Sequence, residues 1–205
     1  MRKAFTLIEL IFSMVIIAIA FSVLPKILQL AIKSSTTSLK EEAMYNAVAY
    51  VGLIKSTVWD ENNTEVDDIL IVKSGDSAYD CNATTGYRAG GMKGSRNCFH
   101  EKNASAIGSD DNDRDDMDDF VTLTANNYNS SRDYNLSVEV DYVDDIALDA
   151  TQYSNTQNTD STNTKFITVT VKTNKKSKTL GSAFVKIPFI AQNIGQITVN
   201  RRVWQ

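Results

Sequence analysis

The stretch MRKAFTLIELIFSMVIIAIAFSVL, residues 1–24, decides the architecture of this 205-residue chain. Two basic residues near its start precede an apolar run from Phe5 to Leu24, in which Glu9 is the one charged side chain. As a helix rising about 1.5 Å per residue, this run spans a hydrocarbon core of roughly 30 Å. Basic residues before such a span keep the N-terminus in the cytoplasm. The sequence therefore predicts a single-pass membrane protein whose C-terminal part is exported.

The run KAFTLIEL, residues 3–10, resembles the class III signal of type IV pilins and type II secretion pseudopilins. In that family prepilin peptidase cuts just before the Phe and N-methylates the new terminus. The resemblance implies that cleavage falls between Ala4 and Phe5, that Phe5 becomes the methylated terminus, and that Glu9 is the acid used in assembly. Ala4 stands where the family usually has Gly, and Ala is the nearest substitute in size.

The position of Glu9 also has a physical explanation. A charge at mid-membrane depth costs about 2.5–3.5 kcal/mol on insertion scales and needs a partner. After cleavage, the amine of Phe5 in a neighbouring subunit supplies that partner and fixes the register between helices. An uncleaved signal anchor is the alternative. A conventional secretory signal finds no support, because no small-x-small cleavage site closes the apolar run.

The resemblance implies a structural subunit, a minor pilin or pseudopilin, of a type IV pilus or type II secretion filament. Its partners are then other pilin-like subunits, prepilin peptidase, the inner-membrane assembly platform and membrane lipid. It would lie in the bacterial inner membrane with a periplasmic domain, and in a periplasmic or extracellular filament after assembly. A minor pilin that binds DNA, a surface glycan or a secreted substrate is the alternative.

The rest of the chain predicts an α+β fold, one long helix against an antiparallel sheet. Pro25 is expected to bend or loosen the helix. Beyond it an apolar stripe at helical spacing predicts an amphipathic half: Leu39, Ala43, Ala47, Val51, Ile54 and Val58. The predicted segments are a leader (1–4), a transmembrane helix (5–24), an amphipathic helix (25–58) and an exported domain (59–205).

Alternating and β-branched runs predict the sheet. Leu136, Val138, Val140 and Tyr142 alternate with polar residues, and Phe166–Lys172 is rich in β-branched side chains. Thr179–Phe189 and Gln196–Val203 complete four predicted strands, and Ile69–Lys73 is expected to add a short edge strand. The connections between these runs are long and polar, which is typical of exposed loops.

Cys81 and Cys98 lie in the exported part, where disulfides persist. A bond between them closes a loop of 18 residues, which stabilises the fold by about 3 kcal/mol on the chain-entropy estimate. Free thiols and a metal pair are the alternatives. With His100 as the single histidine, a metal site finds little support.

An acidic segment, residues 109–120, holds seven Asp within ten residues. Carboxylates at this density are typical ligands of calcium, and the candidate ligands are Asp111, Asp113, Asp115 and Asp116. It is not an EF-hand loop, because Asp116 stands where Gly is needed and Thr122 where Glu is needed. A solvated loop, or Asp side chains that cap a helix before Phe120, is the alternative. Residues 115–120 also resemble an acidic motif of minor pilins from mannose-sensitive haemagglutinin-type pili.

Four Asn-x-Ser/Thr sites have an acid two residues earlier, which resembles the extended sequon of some bacterial oligosaccharyltransferases. They are Asn62, Asn82, Asn103 and Asn135. A composition rich in Asp, Asn and Ser is the alternative source. The formal charge of −4 counts against nucleic-acid binding. No catalytic motif accompanies His100, so we expect no enzyme.

Overall fold

The computed structural model describes residues 6–65, 69–82, 86–88, 98, 101–108, 114–121, 134–146, 152–173 and 185–195. The chain divides into two compact units, residues 1–42 and residues 43–205. Helix α1, Leu7–Ile54, contributes to both. In the first unit it contains a stretch long and apolar enough to cross a membrane. The helix continues through Pro25, so a local bend there stays a prediction.

In the second unit one side of α1 is buried. Ala43, Ala47 and Ile54 are fully buried, whereas Met44 and Val48 on the other side are exposed. The predicted stripe is therefore confirmed from residue 43 to residue 54. The helix ends at Ile54 rather than at residue 58, because the next backbone N–H groups turn back onto carbonyls of the last helical turn. A short helix α2, Asn62–Glu65, follows.

The sheet has three antiparallel strands, β3 (Tyr134–Val143), β4 (Thr164–Thr173) and β5 (Val185–Gln192), in the order β3-β4-β5. In β3, Val138, Val140 and Tyr142 are buried and Glu139 is exposed, as the alternation predicts. Tyr142 packs against Trp59, just after the helix, with the two rings tilted by 56° and their centroids 6.2 Å apart. The predicted α+β class is confirmed.

The predicted count of four strands is wrong for the described part of the chain, which has three in this sheet. The last predicted strand, Gln196–Val203, lies outside the described residues. The third strand ends at Gln192, beyond the predicted end at Phe189. The edge strand at Ile69–Lys73 is also wrong: Ile71 forms a single parallel bridge with Asn103, and no ladder extends from it in the residues described around it.

A two-stranded hairpin that the sequence did not predict precedes the sheet. Its strands are β1, Cys81–Asn82, and β2, Tyr87–Arg88, joined through Gly86 with a φ of 69°. Arg88 anchors the hairpin by donating to the carbonyl of Asn193 at 2.6 Å and to Oδ1 of Asn163 at 2.7 Å. Two-residue strands carry too little pattern to be found by alternation.

Candidate functional sites

Glu9 lies in the first turn of α1, where its backbone N–H donates to the carbonyl of Thr6 at 3.0 Å. Its side chain is exposed in the single chain, among exposed apolar side chains. Ala4 and Phe5 lie outside the described residues, so the cleavage site and the pairing of Glu9 with a terminal amine stay predictions. The geometry is that of one carboxylate near the start of an apolar helix.

The acidic segment is partly a capping structure. Oδ1 of Asp116 accepts the backbone N–H groups of Asp118 at 2.8 Å and of Asp119 at 3.0 Å, which starts the 3-10 turn Asp118–Phe120. Asp116, Asp118 and Asp119 are all buried, and Asp115 is exposed. The capping alternative therefore holds for Asp116. Asp111 and Asp113 lie outside the described residues.

The described residues do contain a group of carboxylates with metal-ligand spacing. Glu61, Asp115 and Asp119 each offer one oxygen, and these oxygens lie within 4.8 Å of one another. Calcium prefers such oxygen ligands. Asp115 is the one member that the sequence predicted; Glu61 was missed because it lies more than fifty residues earlier in the chain. Calcium binding stays a prediction.

A charge cluster that the sequence did not predict lies buried in the second unit. We call it the Lys165 cluster; its members are Lys165, Asp60, Asp118, Trp59 and Tyr142. All five are buried, and Lys165 and Asp60 have no exposed surface. Nζ of Lys165 donates to the carbonyl of Trp59 at 2.7 Å, to Oδ2 of Asp60 at 3.4 Å and to Oδ1 of Asp118.

The cluster joins three distant parts of the chain. Lys165 is the second residue of β4, opposite Tyr142 of β3. Asp60 follows the end of α1, and Asp118 opens the 3-10 turn of the acidic segment. The aromatic members also enclose the amine, since Nζ lies 4.5 Å from the ring centroid of Trp59 and 5.4 Å from that of Tyr142.

Each carboxylate in the cluster is held by backbone donors as well. Oδ2 of Asp60 accepts from the N–H and the hydroxyl of Ser105, both at 3.0 Å. Oδ2 of Asp118 accepts the N–H of Gly108 at 3.0 Å. The two carboxylates are thus fixed in orientation independently of Lys165.

Burial shifts the pKa of two groups in and beside the cluster, Asp116 and Tyr142. Burial, and then the charge of Asp118, raises the pKa of Asp116 to about 8, while Lys165 opposes this shift. Burial also raises the pKa of Tyr142, with Asp60 as the next cause. Burial therefore favours the protonated form of the Asp116 carboxyl group.

Cys81 and Cys98 are joined by a disulfide with a Cα–Cα distance of 6.3 Å, which fits the predicted pairing. The backbone N–H of Cys98 donates to the carbonyl of Gly86 at 3.0 Å, so the bond closes the hairpin onto its own turn. His100 lies outside the described residues.

The predicted glycosylation sites are scattered over the domain. Asn82 lies in β1, and Asn135 lies half-buried in β3. The side-chain amide of Asn62 donates to the carbonyl of Asn103 at 2.9 Å. The hydroxyl of the Asn103 sequon belongs to Ser105 and donates to Asp60. Glycosylation stays a prediction.

An apolar helix with an acid in its first turn, followed by an α+β domain with an antiparallel sheet, defines a pilin-like arrangement. Residues 1–25 match the family model described as the prokaryotic N-terminal methylation motif. This motif is the prepilin-type signal of type IV pilins and pseudopilins, and it implies processing by prepilin peptidase and assembly with other pilin subunits. No curated protein and no solved structure matches the chain.

Proposed function

We propose that this chain is a minor pilin or pseudopilin, a structural subunit of a type IV pilus or type II secretion filament. Prepilin peptidase cuts between Ala4 and Phe5. Before assembly, the subunit is anchored in the inner membrane by its N-terminal helix, with the C-terminal domain in the periplasm. The assembly platform then moves it from the lipid into the filament. In the filament, Glu9 meets the terminal amine of a neighbouring subunit.

The single observation that carries this proposal is the methylation motif followed by an exposed apolar helix with Glu9 in its first turn. Among the described residues, Glu9 has no ion-pair partner, and a carboxylate in lipid is costly without one. A partner from another subunit removes that cost only when the two helices are in one register. The same carboxylate therefore favours assembly and sets the axial step.

Glu9→Ala tests the proposal in the native host. We expect normal membrane insertion and loss of the subunit from sheared or purified filaments. The matched control is Glu41→Ala, which removes an exposed carboxylate from the same helix beyond the predicted membrane span. Incorporation of Glu9→Ala at the level of the control contradicts the assembly role.

Mass spectrometry of the host protein tests the processing step separately. We expect a chain that begins at an N-methylated Phe5. A chain that keeps Met1 contradicts processing, whatever the phenotype of the Glu9 variant. Replacement of Ala4 by Gly is expected to preserve the cut, and replacement by a bulky residue is expected to block it.

A further inference from the structure

The contact between Lys165 and Asp118 is a place where a covalent bond can form. The amine and the carboxyl group touch, and their side chains are 0% and 1% exposed. We propose that Nζ of Lys165 condenses with Cγ of Asp118 to form an amide cross-link within the exported domain, with Asp60 carrying the protons. This modification does not depend on the filament role.

The carboxyl group of Asp118 is held between the amine of Lys165 and a backbone donor. Oδ1 contacts Nζ of Lys165, while Oδ2 accepts the backbone N–H of Gly108 at 3.0 Å. When Nζ attacks Cγ, negative charge develops on the carboxyl oxygens, and a backbone N–H already bound to Oδ2 stabilises it. The amine, the carboxyl group and the backbone donor are thus held together by the fold before reaction.

Asp60 is placed to move the protons. Its Oδ2 lies 3.4 Å from Nζ, and its orientation is fixed by the two hydrogen bonds from Ser105. The ammonium of Lys165 gives one proton to Asp60, which passes it to Oδ1 of Asp118, and the neutral amine then attacks Cγ of the resulting carboxylic acid. Asp60 takes the second proton from nitrogen and delivers it to the same oxygen, which leaves as water.

The step balances without any other reagent. One C–N bond forms and one C–O bond breaks, so that Oδ1 of Asp118 leaves as water. Two of the three ammonium protons leave with it, and the third stays on the amide nitrogen. No electrons are exchanged, and Asp60 ends as the carboxylate with which it began.

The surroundings favour the amide over the separated groups. The rings of Trp59 and Tyr142 lie over Nζ and exclude water from it. Two buried charges are costly to desolvate, whereas a neutral amide needs fewer partners. A buried amide is also shielded from the water that would hydrolyse it. The bond would link positions 47 residues apart, between the acidic segment and the central strand β4.

Mass spectrometry of the full chain, purified from membranes in detergent and reduced, tests the bond. We expect an intact mass lower by one water molecule than that of the processed, unlinked chain. After trypsin digestion, we expect no cleavage at Lys165 and a branched species. Its fragment spectrum should show two N-termini, at residues 115 and 133, which a linear peptide with missed cleavages does not have.

Variants separate the bond from the packing. Lys165→Arg keeps a cation but removes the amine, so the mass deficit should disappear, while the control Lys172→Arg on the exposed part of β4 should retain it. Asp60→Asn should lose the cross-link in the folded fraction. A wild-type chain with the full calculated mass and a free tryptic end at Lys165 overturns the proposal, and a complete cross-link in Asp60→Asn overturns the role of Asp60.

Discussion

Replacement of Lys165 by Met tests how the exported domain is held together. Met has a similar length and apolar character, so the variant removes the charge and the donors with little change in volume. It leaves the carboxylates of Asp60 and Asp118 buried without their cation. Breaking a buried pair from one side costs about 3–5 kcal/mol, because the remaining charge is uncompensated.

That loss is measurable as a fall in the unfolding temperature. For a domain of this size, about 1 kcal/mol lowers the midpoint by roughly 2–4 °C, so we expect a fall of about 10 °C. Tryptophan fluorescence of the detergent-solubilised chain reports it, because Trp59 lies within the cluster. Lys172→Met is the control, since it makes the same chemical change at an exposed position of the same strand.

A second variant identifies the source of the loss. In Lys165→Met with Asp118→Leu, one of the stranded carboxylates is also gone, so the double variant should recover part of the stability. Both an ion pair and the proposed amide are absent in Lys165→Met, so the sign of the effect is the same for either. If Lys165→Met unfolds at the temperature of the Lys172→Met control, the cluster does not hold the domain together and the reasoning is refuted.

Three further predictions concern other parts of the domain. Because the pKa of Asp116 is raised from 3.8 to about 8, the folded state keeps a proton that the unfolded state loses, so this stabilisation is present below pH 3.8 and lost as the pH rises through about 8. Between pH 5 and 7, the free energy of unfolding of the wild type should fall by up to about 1.4 kcal/mol per pH unit relative to that of Asp116→Asn. Denaturation measurements in which both proteins show the same pH dependence would contradict this. A Cβ at Gly75 would lie 2.6 Å from the side chain of Asn163, so Gly75→Ala should lower the free energy of unfolding by about 1–3 kcal/mol. A Cβ at Gly52 meets nothing within 4 Å, so Gly52→Ala should stabilise α1 by up to about 1 kcal/mol. Equal effects of the two substitutions would refute the steric reasoning. Calcium binding predicts a rise in unfolding temperature with added calcium that Glu61→Gln reduces, and an unchanged midpoint in the wild type would remove the metal prediction.

The sequence predicts the elements that have a long periodic pattern. Ala43, Ala47 and Ile54 are buried because helical spacing puts them on one side of α1, and the same reasoning holds for Val138 and Val140 in β3. The hairpin at Cys81 escapes prediction because two-residue strands are stabilised by a disulfide and by Arg88, which are contacts distant in sequence.

Lys165 was missed although a sequence signal existed. It has the same strand parity as Ile167, Val169 and Val171, and all four are fully buried. Extending the alternation by one residue pair would have predicted a buried lysine at this position, but not the carboxylates that accompany it. Asp60 and Asp118 come from separate segments, and only the tertiary fold brings them to β4.

Lys165 and Glu9 differ in whether the chain itself supplies a counter-ion, and this difference bears on function. Lys165 is buried with carboxylates supplied by the same chain, so its cost is met by folding alone. Glu9 lies in an apolar helix, and no described residue of the chain forms an ion pair with it. A carboxylate in lipid is costly without a counter-ion, and the proposed assembly would supply one from a neighbouring subunit. On the proposed function, the N-terminal half of α1 therefore depends on a neighbouring chain for its counter-ion, whereas the domain that contains Lys165 supplies its own.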